Sequence, residues 1–287
     1  MDREITFFRA DGKSFKVGDS QPWRFLKSKG LDGFADFSGA VSQVENYSTD
    51  GGRIENVRLS LKDRTIGIAY TDIANNRAAR DAFKQFFIYN MDYDVYVSYM
   101  GVTRWAKGKL YKMQMSNAIE DYLQTAIMTF RFANPYWLSP DDFGKDIATI
   151  TPMVAFPYIS PVGIGITGGK FEFDQEVTIL NDGDANTYPI ITVKAKGSVE
   201  NPIIIINGAQ VKIVDDLVEG DEIVFNFESL PPTIKKNDVN ALGLTDRTSN
   251  FDEMYFALGE NTISYDADNG SNNMSVSLRF YKKYALI

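Results

Sequence analysis

The sequence predicts a mainly β protein of two domains, and three observations carry the prediction. Short runs rich in Val, Ile, Tyr, Phe and Thr recur along the whole chain, with Gly, Asn and Asp between them. Only one stretch has apolar residues at helical spacing. Near the middle of the chain a strand-like run, Thr125 to Phe132, stops at Asn134-Pro135-Tyr136-Trp137-Leu138. Proline removes a ladder donor and constrains the residue before it, so the strand ends there and one domain closes.

Taken in order, Ile5-Thr6-Phe7-Phe8 turns at Asp11-Gly12 into Phe15-Lys16-Val17 and reads as a hairpin. Arg53 to Leu61 and Arg64 to Tyr70 alternate in part, with Lys62-Asp63 between them, and are expected to be neighbouring strands. The helix follows: Ala79, Ala82, Phe83, Phe86 and Asn90 mark one face, with Asn75 or Asn76 as its cap. Tyr93 to Tyr99 alternates strictly, turns at Gly101, and is expected to pair with Trp105 to Met115, which pairs in turn with Leu123 to Phe132. Residues 1–138 therefore read as a β-sandwich or barrel-like domain carrying one helix.

Residues 139–169 hold Pro140, Pro152, Pro157, Pro161 and five glycines without sustained periodicity, the composition of a linker. Residues 170–287 resume strand patterning. Runs are expected at Phe171 to Phe173, Val177 to Leu180, Ile190 to Lys194, Ile203 to Ile206, Gln210 to Val214, Glu222 to Phe227, Met254 to Phe256, Thr262 to Tyr265 and Met274 to Phe280. Turn signals such as Asn207-Gly208 and Asp268-Asn269-Gly270 separate them at short intervals, as in a β-sandwich. Pro135, Tyr136 and Trp137 stand where the first domain meets the linker and are expected to anchor that junction.

The 287 residues are 44% hydrophobic, 24% charged and 13% aromatic, an ordinary globular composition leaning towards β. Cysteine and histidine are absent. That excludes disulfides, thiolate nucleophiles, imidazole general bases and zinc sites built on Cys or His, and neither a cofactor nor a metal is expected. The net charge of −8 is uneven: 20 basic residues face 18 acidic ones up to Lys145, and 10 face 20 after it. An acidic second half repels phosphate, so no sequence-specific nucleic-acid or anionic-membrane partner is expected. Met1-Asp2-Arg3-Glu4 opens with charge, and no run approaches 18 apolar residues, so neither a signal peptide nor a membrane helix is expected.

Several motifs resemble functional sites. Gly163-Ile164-Gly165-Ile166-Thr167-Gly168 spells a dinucleotide fingerprint, but a Pro-rich stretch precedes it and a strand follows, where the mechanism needs a strand and then a helix N-terminus. Asp182, Asp184 and Asn186 open like a calcium loop, yet Thr187 and Val193 occupy the positions that need Gly and Glu. Asp266, Asp268 and Gly270 fail in the same way, with Ser277 in the twelfth position. Glu219, Asp221 and Glu222 read as a solvated turn before a strand instead of a carboxylate pair across a cleft. Tyr136-Trp137 and Tyr255-Phe256 suit either core packing or a sugar-stacking platform, and the latter keeps a two-domain carbohydrate-binding protein as the alternative function.

The order of several segments resembles the distal tail proteins of long-tailed bacteriophages and related tail-like bacteriocins. In the first half these are Arg53 to Tyr70, the Arg77-to-Phe87 helix, Val95-Tyr96-Val97-Ser98, Arg104, Gly108, Lys112-Met113-Gln114-Met115 and the Asn134-Pro135-Tyr136-Trp137 close. In the second half they are Asn181-Asp182-Gly183, Tyr188-Pro189, Glu219-Gly220-Asp221-Glu222-Ile223, Leu258-Gly259-Glu260-Asn261-Thr262-Ile263 and Arg279-Phe280-Tyr281-Lys282-Lys283-Tyr284. The resemblance implies a ring-forming N-terminal domain and a C-terminal galectin-like β-sandwich, with galectin-like describing a fold and not a sugar-binding activity. It further implies a non-enzymatic structural hub of the virion tail tip or baseplate, made in the host cytoplasm. As a hexameric ring it would join the tail tube protein to the tail-associated tip protein and to receptor-binding or tape-measure proteins. Most contact between subunits is expected before Ser139.

Overall fold

β1 (Glu4–Arg9) and β2 (Ser14–Gly18) form the expected first hairpin, followed by β3 (Trp23–Phe25), β4 (Leu31–Asp32), β5 (Gly39–Glu45), β6 (Gly52–Leu59) and β7 (Lys62–Tyr70). Helix α1 (Asn76–Phe86) leads into β8 (Asp92–Tyr99), β9 (Val102–Met115), β10 (Gln124–Phe132), β11 (Trp137–Leu138) and β12 (Lys145–Asp146). Next come β13 (Glu176–Asn181), β14 (Ile190–Ala195), β15 (Val199–Ile206), β16 (Ala209–Lys212), β17 (Asp216–Leu217) and β18 (Glu222–Asn226). The chain finishes with β19 (Thr233–Lys236), β20 (Val239–Asn240), β21 (Gly259–Asn269), β22 (Met274–Arg279) and β23 (Lys283–Tyr284). This computed structural model describes residues 3–27, 30–116, 124–143, 145–146 and 176–287.

The chain divides into two units: Met1–Pro140 with Lys283–Ile287, and Asp141–Lys282. The division differs at both ends from one at 138 and 170. β12 pairs with β22, so residues 141–146 belong with the second unit, while β23 pairs with β11, so the last five residues belong with the first. Residues 147–169, with the Gly163–Gly168 fingerprint, and the strand expected at Phe171 to Phe173 lie outside the described residues.

In the first unit one sheet runs β2-β1-β8-β9-β10-β7-β3, with β4 added on β7 and β11 on β9. It is barrel-like, and the alternation that predicted β8 fixes its inner face: Tyr93, Val95 and Val97 are buried while their neighbours are half-buried. Phe7 stacks on Phe130 at 5.3 Å and meets Phe87 edge-on at 5.1 Å, so aromatic contacts join β1, β10 and the end of the helix. Phe83 and Phe86 face this core as expected, but Ala82 is exposed and Asn90 lies beyond the helix at φ 62°. The cap is Asn75, whose side chain turns to Asp72 (2.7 Å) instead of the helix backbone.

Arg9 closes the other end of α1. Its Nη1 donates to Gln85 O and Phe86 O at 2.9 Å each, and its Nε donates to Asp11 Oδ1 at 2.8 Å. The guanidinium holds the Asp11 carboxyl down at about 2 against an ordinary 3.8. With the folded value below the unfolded one, this contribution is complete above pH 3.8 and is lost as pH falls through about 2. Asp11→Asn is therefore expected to flatten the acid limb of urea stability between about pH 4 and pH 2. Parallel acid limbs for the two chains would remove Asp11 from the acid response.

The second unit is a two-sheet sandwich, β12-β22-β14-β18-β19-β20 against β13-β21-β15-β16, with β17 on β15. Both sheets feed one core that includes Ile191, Val193, Ile204, Ile206, Phe225 and Tyr265. The four isoleucines alternate, Ile204 and Ile206 inward and Ile203 and Ile205 half-buried. Asn207 and Gly208 both take positive φ (49° and 87°), the geometry of the two-residue hairpin turn that Asn-Gly signals. Met254 to Phe256 is not a strand; it contributes only the bridge Thr187↔Phe256, although Met254 and Phe256 are buried.

Candidate functional sites

Among the described residues β5 and β6 pair only with each other, so the expected pairing of Arg53–Leu61 with Arg64–Tyr70 is replaced. β7 pairs instead with β10, β3 and β4. The hairpin is exposed along almost its whole length, with only Leu59 half-buried. Register gives it two unlike faces, because residues paired across an antiparallel ladder share a face. Val41↔Val57 and Gln43↔Ile54 set Val41, Val57 and Ile54 on one side; Ala40↔Arg58 and Val44↔Arg53 set two arginines on the other. Ile54 is 66% exposed, and among the described residues no element of the unit covers that aliphatic face. An isolated two-stranded hairpin is marginal in water, so such a face calls for a partner.

At Asn134–Leu138 the chain crosses a buried cation. Trp137 is fully buried, donates Nε1–H to Phe34 O (3.2 Å), and packs on Phe34 and Phe132. Arg64 lies with its guanidinium carbon 3.8 Å from the Trp137 ring centre and 4.4 Å from that of Phe132, and donates Nη2–H to Pro135 O (2.8 Å). Its Nε and Nη1 have no hydrogen-bond partner among the described residues. Burial pushes this guanidinium down to about 9, with Asp36 acting in the opposite direction. Pro135 thus contributes a carbonyl and Trp137 a buried ring. Tyr136 is half-buried, with its backbone N–H on Asn134 Oδ1 (3.1 Å). Leu138 pairs with Trp105, and Trp137 with Tyr284, so this short strand joins β9 to the C-terminal β23.

A groove of about 680 Å³ opens elsewhere on the first unit. Gly108 and Leu110 form its floor and Leu61, Tyr89 and Tyr111 its walls. The floor needs glycine: a Cβ on residue 108 would lie 2.7 Å from Phe132 Cε1, and Phe132 is fully buried. At the rim Arg131 forms a two-point ion pair with Asp63 (2.8 Å for each bond), which also accepts from Tyr111 Oη (2.9 Å). The pairing holds the Asp63 carboxyl below its ordinary value and pushes the Tyr111 hydroxyl up.

The carboxylate motifs are occupied by the protein itself. Asp182 pairs with Lys282 (2.5 Å), Asp268 with Lys212 (2.6 Å) and Asn201 (2.8 Å), and Asn181 Oδ1 accepts from Gly183 N–H in an Asx turn. Asp221 accepts from Asn237 Nδ2 (2.8 Å) and Val218 N–H (3.1 Å) in the turn before β18, leaving no facing carboxylate pair. Trp137 has no exposed face on which a sugar could stack, and Phe256 is likewise buried. Sequence reasoning missed the hairpin's isolation and Arg64. Periodicity reports which residues alternate but not which strand lies opposite, and an arginine within an alternating run reads as surface.

Comparison with known proteins gives a consistent family of folds. Residues 182–284 match the family model described as siphovirus-type tail component, C-terminal domain. The crystal structure of the SPP1 Dit protein, described as a paradigm of the hub adsorption apparatus in phages infecting Gram-positive hosts, is similar at a TM-score of 0.66. The match is 11% identical and covers 97% of this chain and 98% of that one. A chain of the phage P2 baseplate in its activated conformation with calcium is 11% identical, with a TM-score of 0.56 and complete coverage of both chains. The corresponding baseplate with strontium gives 0.55 at 11% identity and 99% of each chain. Among curated proteins no match to the chain is found.

Proposed function

We propose that this chain, which carries the siphovirus-type tail component C-terminal domain at residues 182–284 and has the fold of a phage distal tail protein, is a structural hub subunit of a phage tail tip or baseplate. It has no catalytic step. Six copies close a ring through the first unit, joining a tail tube to the host-adsorption apparatus, and Pro135, Tyr136 and Trp137 anchor the junction with the second unit. The observation that carries this reading is the β5–β6 hairpin, with an aliphatic face that no other described element of the unit covers. Ring closure requires two different surfaces on each copy, and such an arm supplies one of them. Covering Val41, Ile54 and Val57 is worth roughly 1 kcal/mol or more each, which a subunit alone cannot gain.

Ile54→Asp combined with Val57→Asp is expected to turn the oligomer into a monomer by light scattering. The monomeric variant should still unfold in one cooperative transition, since exposed substitutions typically move the stability of the subunit itself by no more than about 0.5 kcal/mol, and any further fall in melting temperature reports the lost assembly. Wild-type chain that remains monomeric at the highest soluble concentration, or a variant that still assembles, overturns the proposal that this hairpin closes a ring.

A further inference from the structure

The turn after β18 in the second unit presents one aliphatic side chain on a fixed base. Asn226 Oδ1 accepts from the N–H groups of Glu228 (3.0 Å) and Ser229 (3.1 Å), and the Ser229 hydroxyl lies 3.1 Å from Asn226 O and 3.0 Å from Pro231 O. Pro231 and Pro232 restrict the chain directly beyond. At the apex Leu230 is 93% exposed. Glu228 is exposed too, and its carboxylate has no partner among the described residues. A loop ordered in advance loses little entropy on binding, so an exposed leucine held this way is suited to seating in a pocket.

We propose that Leu230 of one copy seats in the groove between Leu61, Tyr89 and Tyr111 in the first unit of a second copy. This deepens the ring reading and rests on it. The groove is apolar at its floor, Tyr89 is 81% exposed beside it, and about 680 Å³ accommodates a leucine with its flanking proline. Charge is complementary as well. Arg131 is neutralised by Asp63, and Lys109 lies 3.7 Å from Asp92, which leaves Lys107 as the rim cation without a partner among the described residues. Glu228, two residues from Leu230, supplies the opposite charge. Loop and groove are unlike surfaces of one chain, the head-to-tail relation that a closed ring needs.

The absence of cysteine makes the test clean. A chain bearing only Leu230→Cys is co-expressed with one bearing only Tyr89→Cys, and the mixture is oxidised mildly. A disulfide-linked heterodimer is expected in at least tenfold excess over that from Leu180→Cys with Tyr89→Cys, Leu180 being an exposed position on the same unit. Adding Glu228→Lys should lower the yield, and Lys107→Glu should restore it. An oligomer by light scattering with no selective cross-link overturns the loop-to-groove contact and leaves the ring reading standing. A monomer overturns both.

Discussion

Trp137→Ala is expected to cost the first unit about 4 kcal/mol, seen as a fall in melting temperature of roughly 10–15 °C. Three losses combine. A fully buried indole leaves a cavity beside Phe34 and Phe132, the Phe34 carbonyl loses its donor, and the Arg64 guanidinium loses the ring 3.8 Å from its centre. That last loss is distinctive, because among the described residues Arg64 is buried with two nitrogen positions unmatched and has no carboxylate in hydrogen-bond contact. Arg64→Met should therefore melt at or above the wild-type temperature near neutral pH, as replacement of a desolvated charge by an apolar side chain often does. The sign with pH follows from burial holding this guanidinium well below its ordinary value, at about 9. Above about 9 the folded state binds fewer protons than the unfolded state, so the charge penalty is complete below about 9 and is relieved as pH rises. The advantage of Arg64→Met should shrink accordingly on the alkaline side. A melting temperature within 3 °C of wild type for Trp137→Ala would show that the junction strand is not an anchor.

The elements most legible in the sequence were those whose burial is set by their own alternation. β8, β9 and β10 pair in the expected order, each with the strand that follows it in sequence and with Met100-Gly101 turning between β8 and β9, and Ile203–Ile206 enters a core on alternate residues. What alternation cannot carry is partner choice. β6 shares its pattern with β7, yet Arg53 and Arg58 on one face and three aliphatic residues on the other belong to an arm that leaves the sheet. The carboxylate turns were read from what they lack, and their side chains are taken up by Lys212, Lys236 and Lys282. At the junction the proline stop located Trp137, but the partners that bury it, Phe34 and Arg64, lie 103 and 73 residues away in sequence, beyond any local pattern.

The C-terminal residues carry the second large effect. β23 adds to β11, Tyr284 packs with its ring centre 3.5 Å from the Arg104 guanidinium carbon, and Ile287 lines a hollow with Leu31, Phe34 and Val97. A chain ending at Pro140 forfeits all of this, and its first unit is expected to lose about 3 kcal/mol in urea unfolding from lost ladder hydrogen bonds, cation–π contact and buried apolar area. Simple truncation is thus the wrong way to isolate this unit. Leu138 and Lys283 are register partners, and residues opposite each other in an antiparallel pair lie about 5 Å apart, so the exit to the second unit and the return from it are adjacent. The second unit is consequently an insertion in the first, the kind of boundary at which excision is tolerated. Replacing Asp141–Lys282 by a short Gly-Ser linker should keep β23 in place and restore the first unit's stability to within about 1 kcal/mol. If the truncated and excised chains unfold at the same urea concentration, β23 contributes nothing and the insertion is one of connectivity only. If the excised chain alone is restored, the last five residues complete the sheet that Trp137 anchors, and any assembly through the β5–β6 hairpin can be measured on that chain without the second unit.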